Sequence, residues 1–177
     1  MSPSGSHLTE TNSAAKFMNS SNPVVAAFIE SASEAIGKMA MFTLEVEAID
    51  AVEAPLGSFE LVAAMSLSQQ ADRLVVMGLE RQLAQYLVAG MIGVDPDEAN
   101  EFLEDGIGEL LNVIAGSAKT RLKDTESSFE LTLPKVAVDS KSPIDEPGGT
   151  PGITISGRVG TEPLAMTIWI QGVDVGT

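Results

Sequence analysis

The chain has 177 residues, 44% of them hydrophobic, no cysteine and a formal net charge of −15. That length suits one domain with a substantial core. Without cysteine there is neither a disulfide framework nor thiol chemistry, and the acidic balance opposes binding to nucleic acid or an anionic membrane.

Residues 1–20 are rich in Ser, Thr, Asn and Gly and predict a flexible N-terminal tail without the basic and apolar regions of a secretory signal. His7, the one histidine, lies in a Gly-Ser-His stretch compatible with a tag remnant and is given no role. No apolar run approaches the length of a membrane span, so a cytoplasmic protein is expected. From residue 21 the pattern turns helical. Asn22-Pro23 supplies a cap and a first-turn proline, and Val24, Val25, Phe28, Ile29, Ala32, Ile36 and Met39 recur at spacings of three and four. Strand-like runs follow at Phe42–Ile49, Ser58–Ser66 and Arg73–Leu79. A helix over Arg81–Met91 stops near Gly93, and Asp95-Pro96 opens a long helix reaching Leu122. Three strands, Phe129–Val138, Gly152–Val159 and Pro163–Ile170, complete the pattern, with Ser140–Pro151 as a candidate mobile loop.

A long helix followed by three strands thus occurs twice, with one extra helix between the halves. The expected fold class is α+β, with two long helices packed on a largely antiparallel six-stranded sheet. It would occupy residues 21–171, leaving 172–177 as a C-terminal tail. Met39, Met41, Met65, Met77, Met91 and Met166 are scattered over these elements and read as core filling, as does Trp169, with dimer packing as its alternative.

The most informative segment is Gly108–Thr120. At 100° per residue Asp105, Glu109, Asn112 and Gly116 share one narrow stripe, while Leu103, Ile107, Leu110, Leu111, Ile114, Ala118 and Leu122 gather opposite. A carboxylate and a carboxamide therefore face outward one turn apart. Gly108 and Gly116 lie beside them, although each Gly in a helix interior costs about 1 kcal/mol relative to Ala. This pattern reads as a docking face built from Asp105, Gly108, Glu109, Asn112 and Gly116. A merely solvated surface is the alternative reading of the spacing alone.

Glu109-Leu-Leu-Asn112, followed by Ile114-Ala-Gly116 and Ala118-Lys-Thr120, resembles the Glu-x-x-Asn signature of the CheX/CheC chemotaxis phosphatases. Leu131-Thr-Leu-Pro134 is similar to the Ser-Leu-Pro strand of CheX-like members. The first helix carries Glu30-Ser-Ala-Ser33 and Glu34-Ala-Ile-Gly37 without the Asn, so the resemblance is to the one-site CheX type. It implies a phosphatase for the aspartyl phosphate of a CheY-like response-regulator receiver domain. In that reading Asn112 positions the attacking water and Glu109 pairs with the receiver's lysine. No cofactor of its own is implied; Mg²⁺ is expected in the partner receiver. A homodimer formed through the sheets is implied too, with Gly152–Ile170 as the edge. The alternative is a non-catalytic receiver-binding or flagellar-switch-type adaptor, or a purely structural dimerisation domain.

Other motifs carry less. Gly116-Ser-Ala-Lys-Thr120 lacks the second glycine and the strand-to-helix setting of a phosphate-binding loop. Asp95, Asp97 and Glu98 are expected to complement the dipole of the long helix, and Lys119 its C-terminal end. Glu101 and Glu104 read as solvated charges.

Overall fold

The computed structural model describes residues 22–52, 59–68, 73–139, 151–161 and 164–173. The expected tail at 1–20 with His7, most of the Ser140–Pro151 loop, and residues 174–177 lie outside the described residues.

Helix α1 spans Pro23–Ala40. Asn22 Oδ1 accepts from the backbone N–H groups of Val24 and Val25 at 2.9 and 3.4 Å, satisfying two donors that the first turn leaves free. Val25, Phe28, Ile29, Ala32 and Ile36 form its buried face. The helix stops at Met41, whose backbone takes the left-handed conformation (φ 62°). That turn carries the Met41 side chain into solvent at 85% exposure, so Met41 is not core filling. Met65, Met77 and Met166 are buried as expected, and Met39 and Met91 are half-buried against the core.

Strands β1 (Leu44–Val52), β2 (Leu61–Ser68) and β3 (Arg73–Leu79) follow. Helix α2 (Arg81–Ile92) ends at Gly93, which adopts φ 73° and donates its N–H to Ala89 O at 2.8 Å. Asp95-Pro96 opens a turn and a 3₁₀ segment (Glu98–Phe102) rather than the long helix, which begins at Leu103. The acids in the first turn of that helix, α3 (Leu103–Leu122), are accordingly Glu104 and Asp105, not Asp95, Asp97 or Glu98. Beyond it come β4 (Glu130–Leu131), β5 (Lys135–Val138), β6 (Gly152–Val159) and β7 (Leu164–Gln171).

The strands form one seven-stranded sheet in the order β1-β6-β7-β3-β2-β4, with β5 also on β2, and each described pairing is antiparallel. Counting β4 and β5 as one broken strand, the order is a palindrome. From either edge it runs through the first strand of one half, then the second and third of the other. The helix-then-three-strands rhythm is therefore a pseudo-two-fold arrangement, with β7 and β3 at its centre. This order corrects the expected dimer edge: β6 and β7 are interior, and the edges are β1 and β4–β5.

Six expected strands become seven because Phe129–Val138 is interrupted. Leu67 pairs with Leu131 and Ala64 with Lys135, so Met65 and Ser66 face three residues, Thr132, Leu133 and Pro134. One extra residue on one side of a ladder is a β-bulge.

The three described α-helices pack on one face of the sheet, where Leu61, Met65, Val75, Met77, Ile153, Ile168 and Ile170 point into the main core. The face of α3 expected inside is buried throughout: Leu103, Ile107, Leu110, Leu111, Ile114, Ala118 and Leu122. Each Leu or Ile buried there contributes about 1.5–3 kcal/mol by removing apolar surface from water. Helices α1 and α3 lie against one another. Arg121 bridges them, binding Glu30 at 3.1 Å, Glu34 at 2.5 Å and the Ser31 hydroxyl at 3.2 Å. Trp169 is buried on the other face with Ala64 and Val76. Among the described residues no helix is long and apolar enough to cross a membrane.

Candidate active site

Helix α3 is held by its buried face, so its opposite face is fixed in orientation. Asp105, Glu109 and Asn112 are exposed on that face. At a separation of three residues, the side chains of Glu109 and Asn112 start about 5–6 Å apart. Neither side chain hydrogen-bonds or ion-pairs with another described residue, so both are available to a partner.

A cleft of about 320 Å³ runs along this stripe. Glu104, Asp105, Gly108, Glu109 and Asn112 line it from the helix, and Leu133, Pro134 and Val136 from the bulged edge strand. Gly108 forms part of its floor and is buried. A Cβ there would stand 3.3 Å from Val136 Cγ2, so the absence of a side chain lets the strand close on the helix. Gly116 lies outside the cleft, with nothing within 4 Å of a would-be Cβ. Asp105, Gly108, Glu109 and Asn112 are thus brought together, and Gly116 extends the stripe beyond them.

Sequence reasoning missed the second wall. Leu133, Pro134 and Val136 come from an element separated from α3 by a turn, and helical periodicity is silent about what packs beside a helix. A proline within an edge strand was the available signal of a bulge. Glu104, read as a solvated charge, is exposed as expected and also lines the cleft.

Glu104, Asp105 and Glu109 make the mouth of the cleft anionic, and no described ion pair neutralises them. Asn112 is the neutral member, able to accept through its oxygen and donate through its nitrogen. Lys119 lies in the last turn of α3, as expected of a cation complementing the helix end, and its ammonium also binds Glu130 at 2.5 Å, tying α3 to β4. On α1 the matching acids are also engaged, Glu30 and Glu34 by Arg121 and Glu34 again by Lys38. Among the described residues no group of three or more His, Cys, Asp or Glu could hold a metal ion.

The family model for the chemotaxis phosphatase CheX matches residues 61–157, a span that carries β2, α3 and both walls of the cleft. The chain belongs to the CheX chemotaxis phosphatase family. Solved CheX structures share its fold. A CheX from Desulfovibrio desulfuricans superposes with a TM-score of 0.73 at 18% identity, covering 83% of this chain and 97% of that one. CheX from Vibrio vulnificus gives 0.72 at 19% identity, covering 84% and 97%. A third structure, the CheX-CheY-BeF3-Mg²⁺ complex from Borrelia burgdorferi, gives 0.64 at 17% identity, covering 84% and 96%. No curated protein sequence matches the chain. As a family member the protein is a phosphatase, and the expected α+β fold and the family resemblance of the sequence are both borne out.

Proposed function

We propose that the chain hydrolyses the aspartyl phosphate of a CheY-like receiver domain, with Asn112 positioning the attacking water and Glu109 pairing with the receiver's active-site lysine. The observation that carries this reading is an unengaged carboxylate and carboxamide, one turn apart, on a fixed helix face beside a cleft. A CheX from Borrelia burgdorferi has been captured with CheY, BeF3 and Mg²⁺, which supports a receiver as the partner.

The chemistry asks little of the phosphatase beyond position. Water attacks phosphorus in line with the bond to the aspartyl oxygen; that bond breaks, releasing inorganic phosphate and the free carboxylate. Mg²⁺ and the lysine, both belonging to the receiver, spread the charge on the phosphoryl oxygens. The Asn112 oxygen accepts a hydrogen bond from the water and holds it on the line of attack, converting a bimolecular encounter into an oriented one. A neutral amide suits this place, because a carboxylate would bring like charge against the phosphoryl group. Glu109 and the other acids at the mouth meet the receiver's cations instead. Homodimerisation belongs to the same reading, and sedimentation over a micromolar concentration range tests it.

The deciding experiment follows the decay of a phosphorylated receiver in Mg²⁺ with and without the protein. Acceleration by the wild type, lost by about 10²-fold or more in Asn112→Ala as for other positioned catalytic groups, supports the assignment. Binding without acceleration points to an adaptor.

A further inference from the structure

Strand alternation places Leu131 against the core and would place Leu133 there too, since residues two apart share a face. Leu131 packs as this rule demands, and Val136 and Val138 resume the inward row after the break. Leu133 is 85% exposed. The bulge at 132–134 has taken one leucine out of the core row and set it on the rim of the cleft that Glu109 and Asn112 line.

The position is firmly held. Ser66 N–H donates to Thr132 Oγ1 at 3.0 Å, and Thr132 N–H donates to Ser66 O at 3.2 Å. Pro134 fixes the backbone on the other side of Leu133 and cannot donate to the ladder, which leaves the bulge as its natural place. The Lys119–Glu130 pair anchors the strand before the bulge, and Val136 over Gly108 anchors it after. A side chain displayed this way loses little backbone freedom when a partner covers it.

We propose that Leu133 is the apolar anchor that seats the phosphorylated receiver, covered by apolar surface of the receiver next to its phosphorylated site. The inference rests on the receiver-phosphatase reading above. A partner whose phosphorus reaches Asn112 must span the cleft, and Leu133 is on its opposite wall, so that partner covers both. Leu133 thereby sets affinity, while Asn112 acts on the water. It is a positioning residue, not a catalytic one.

The test measures binding of a CheY-like receiver loaded with beryllofluoride and Mg²⁺ by fluorescence anisotropy, together with steady-state turnover of the phosphorylated receiver. Leu133→Ala should weaken binding about 10- to 30-fold, the worth of an apolar side chain withdrawn from water at an interface. KM should rise by a similar factor with kcat at saturation unchanged. Leu133→Met should restore most of the affinity and Leu133→Asp should abolish it, with circular dichroism matching the wild type in each case. Met41→Ala, equally exposed but outside the cleft, should change nothing. Leu133→Ala binding like wild type, or a fall in kcat with KM unmoved, overturns the proposal. Wild-type binding without turnover defeats the catalytic reading alone, because the Leu133 effect on binding is read separately. No binding by the wild type to any loaded receiver defeats both.

Discussion

Asn112 and Glu109 differ in what their loss should do. Under the proposed mechanism Asn112→Asp keeps size and hydrogen-bond acceptance but would place a negative charge against the phosphoryl group, so turnover should fall about as far as in Asn112→Ala. Both variants should unfold at the wild-type denaturant midpoint, because the side chain is exposed and bonds to no described residue. Retained turnover in Asn112→Asp would place the water elsewhere. Gly108 fails for a different reason. A methyl group at 3.3 Å from Val136 must push the edge strand outward, and Gly108→Val should cost stability and displace the rim together. Thr154 offers the opposite sign. It is fully buried, its hydroxyl has no hydrogen-bond partner among the described residues, and it stands across from Trp169, whose indole N–H likewise has none there. Thr154→Val removes that unmet desolvation cost and should stabilise by about 1 kcal/mol, measured by urea unfolding. These side-chain facts lie beyond sequence patterning. Periodicity put Glu109 and Asn112 on the outward stripe of a helix, but it could not tell that Gly108 faces a strand of its own chain.

The elements were legible in proportion to how strongly each was patterned. Asn22-Pro23 marks the start of α1 correctly, because cap chemistry and a proline without an N–H act within a few residues. Gly93 marks the end of α2 for the same local reason. Asp95-Pro96 misled because a 3₁₀ turn and an α-helix begin with the same residues. The break at Thr132–Pro134 was signalled only by its proline, because its cause, register against β2, is set by a strand far away in the sequence. The contact between α1 and α3 carries its own test. Lys38 first, and Arg121 after it, hold the Glu34 carboxyl below its ordinary range. A carboxylate with a lowered folded pKa adds stability above its unfolded pKa, and loses it as pH falls through the folded one. Glu34→Gln should therefore unfold slightly more easily than wild type at neutral pH and converge with it in acid. Both partners of the pair are exposed, so the difference should be small. A gap that widens below pH 4 would contradict this assignment.

For the whole molecule, the palindromic strand order means that neither half of the chain contains a complete sheet. Strands β2 and β3 pair within the first half and β6 with β7 in the second, but among the described strands β1 pairs only with β6, and β3 joins β7 across the halves. Severing the chain at Val94–Asp95, in the turn before the 3₁₀ segment, should give two pieces that each lack a cooperative melt and regain it on mixing, as followed by far-ultraviolet dichroism. Two independent melts would show that the halves are separate domains. That the halves interleave was not readable from their repeated order, since the same helix-then-strands rhythm suits two sheets side by side. The β1–β6 ladder, which joins Leu44 to Val159, also sets a timetable during synthesis. Strand β1 leaves the ribosome well before β6, the partner it pairs with, has been synthesised. While it waits, the charges of Glu45, Glu47 and Asp50 along the unpaired strand should discourage neighbouring nascent chains from adding to it. The acidity of this first strand should thus oppose aggregation of the newborn chain, before any phosphorylated partner is met.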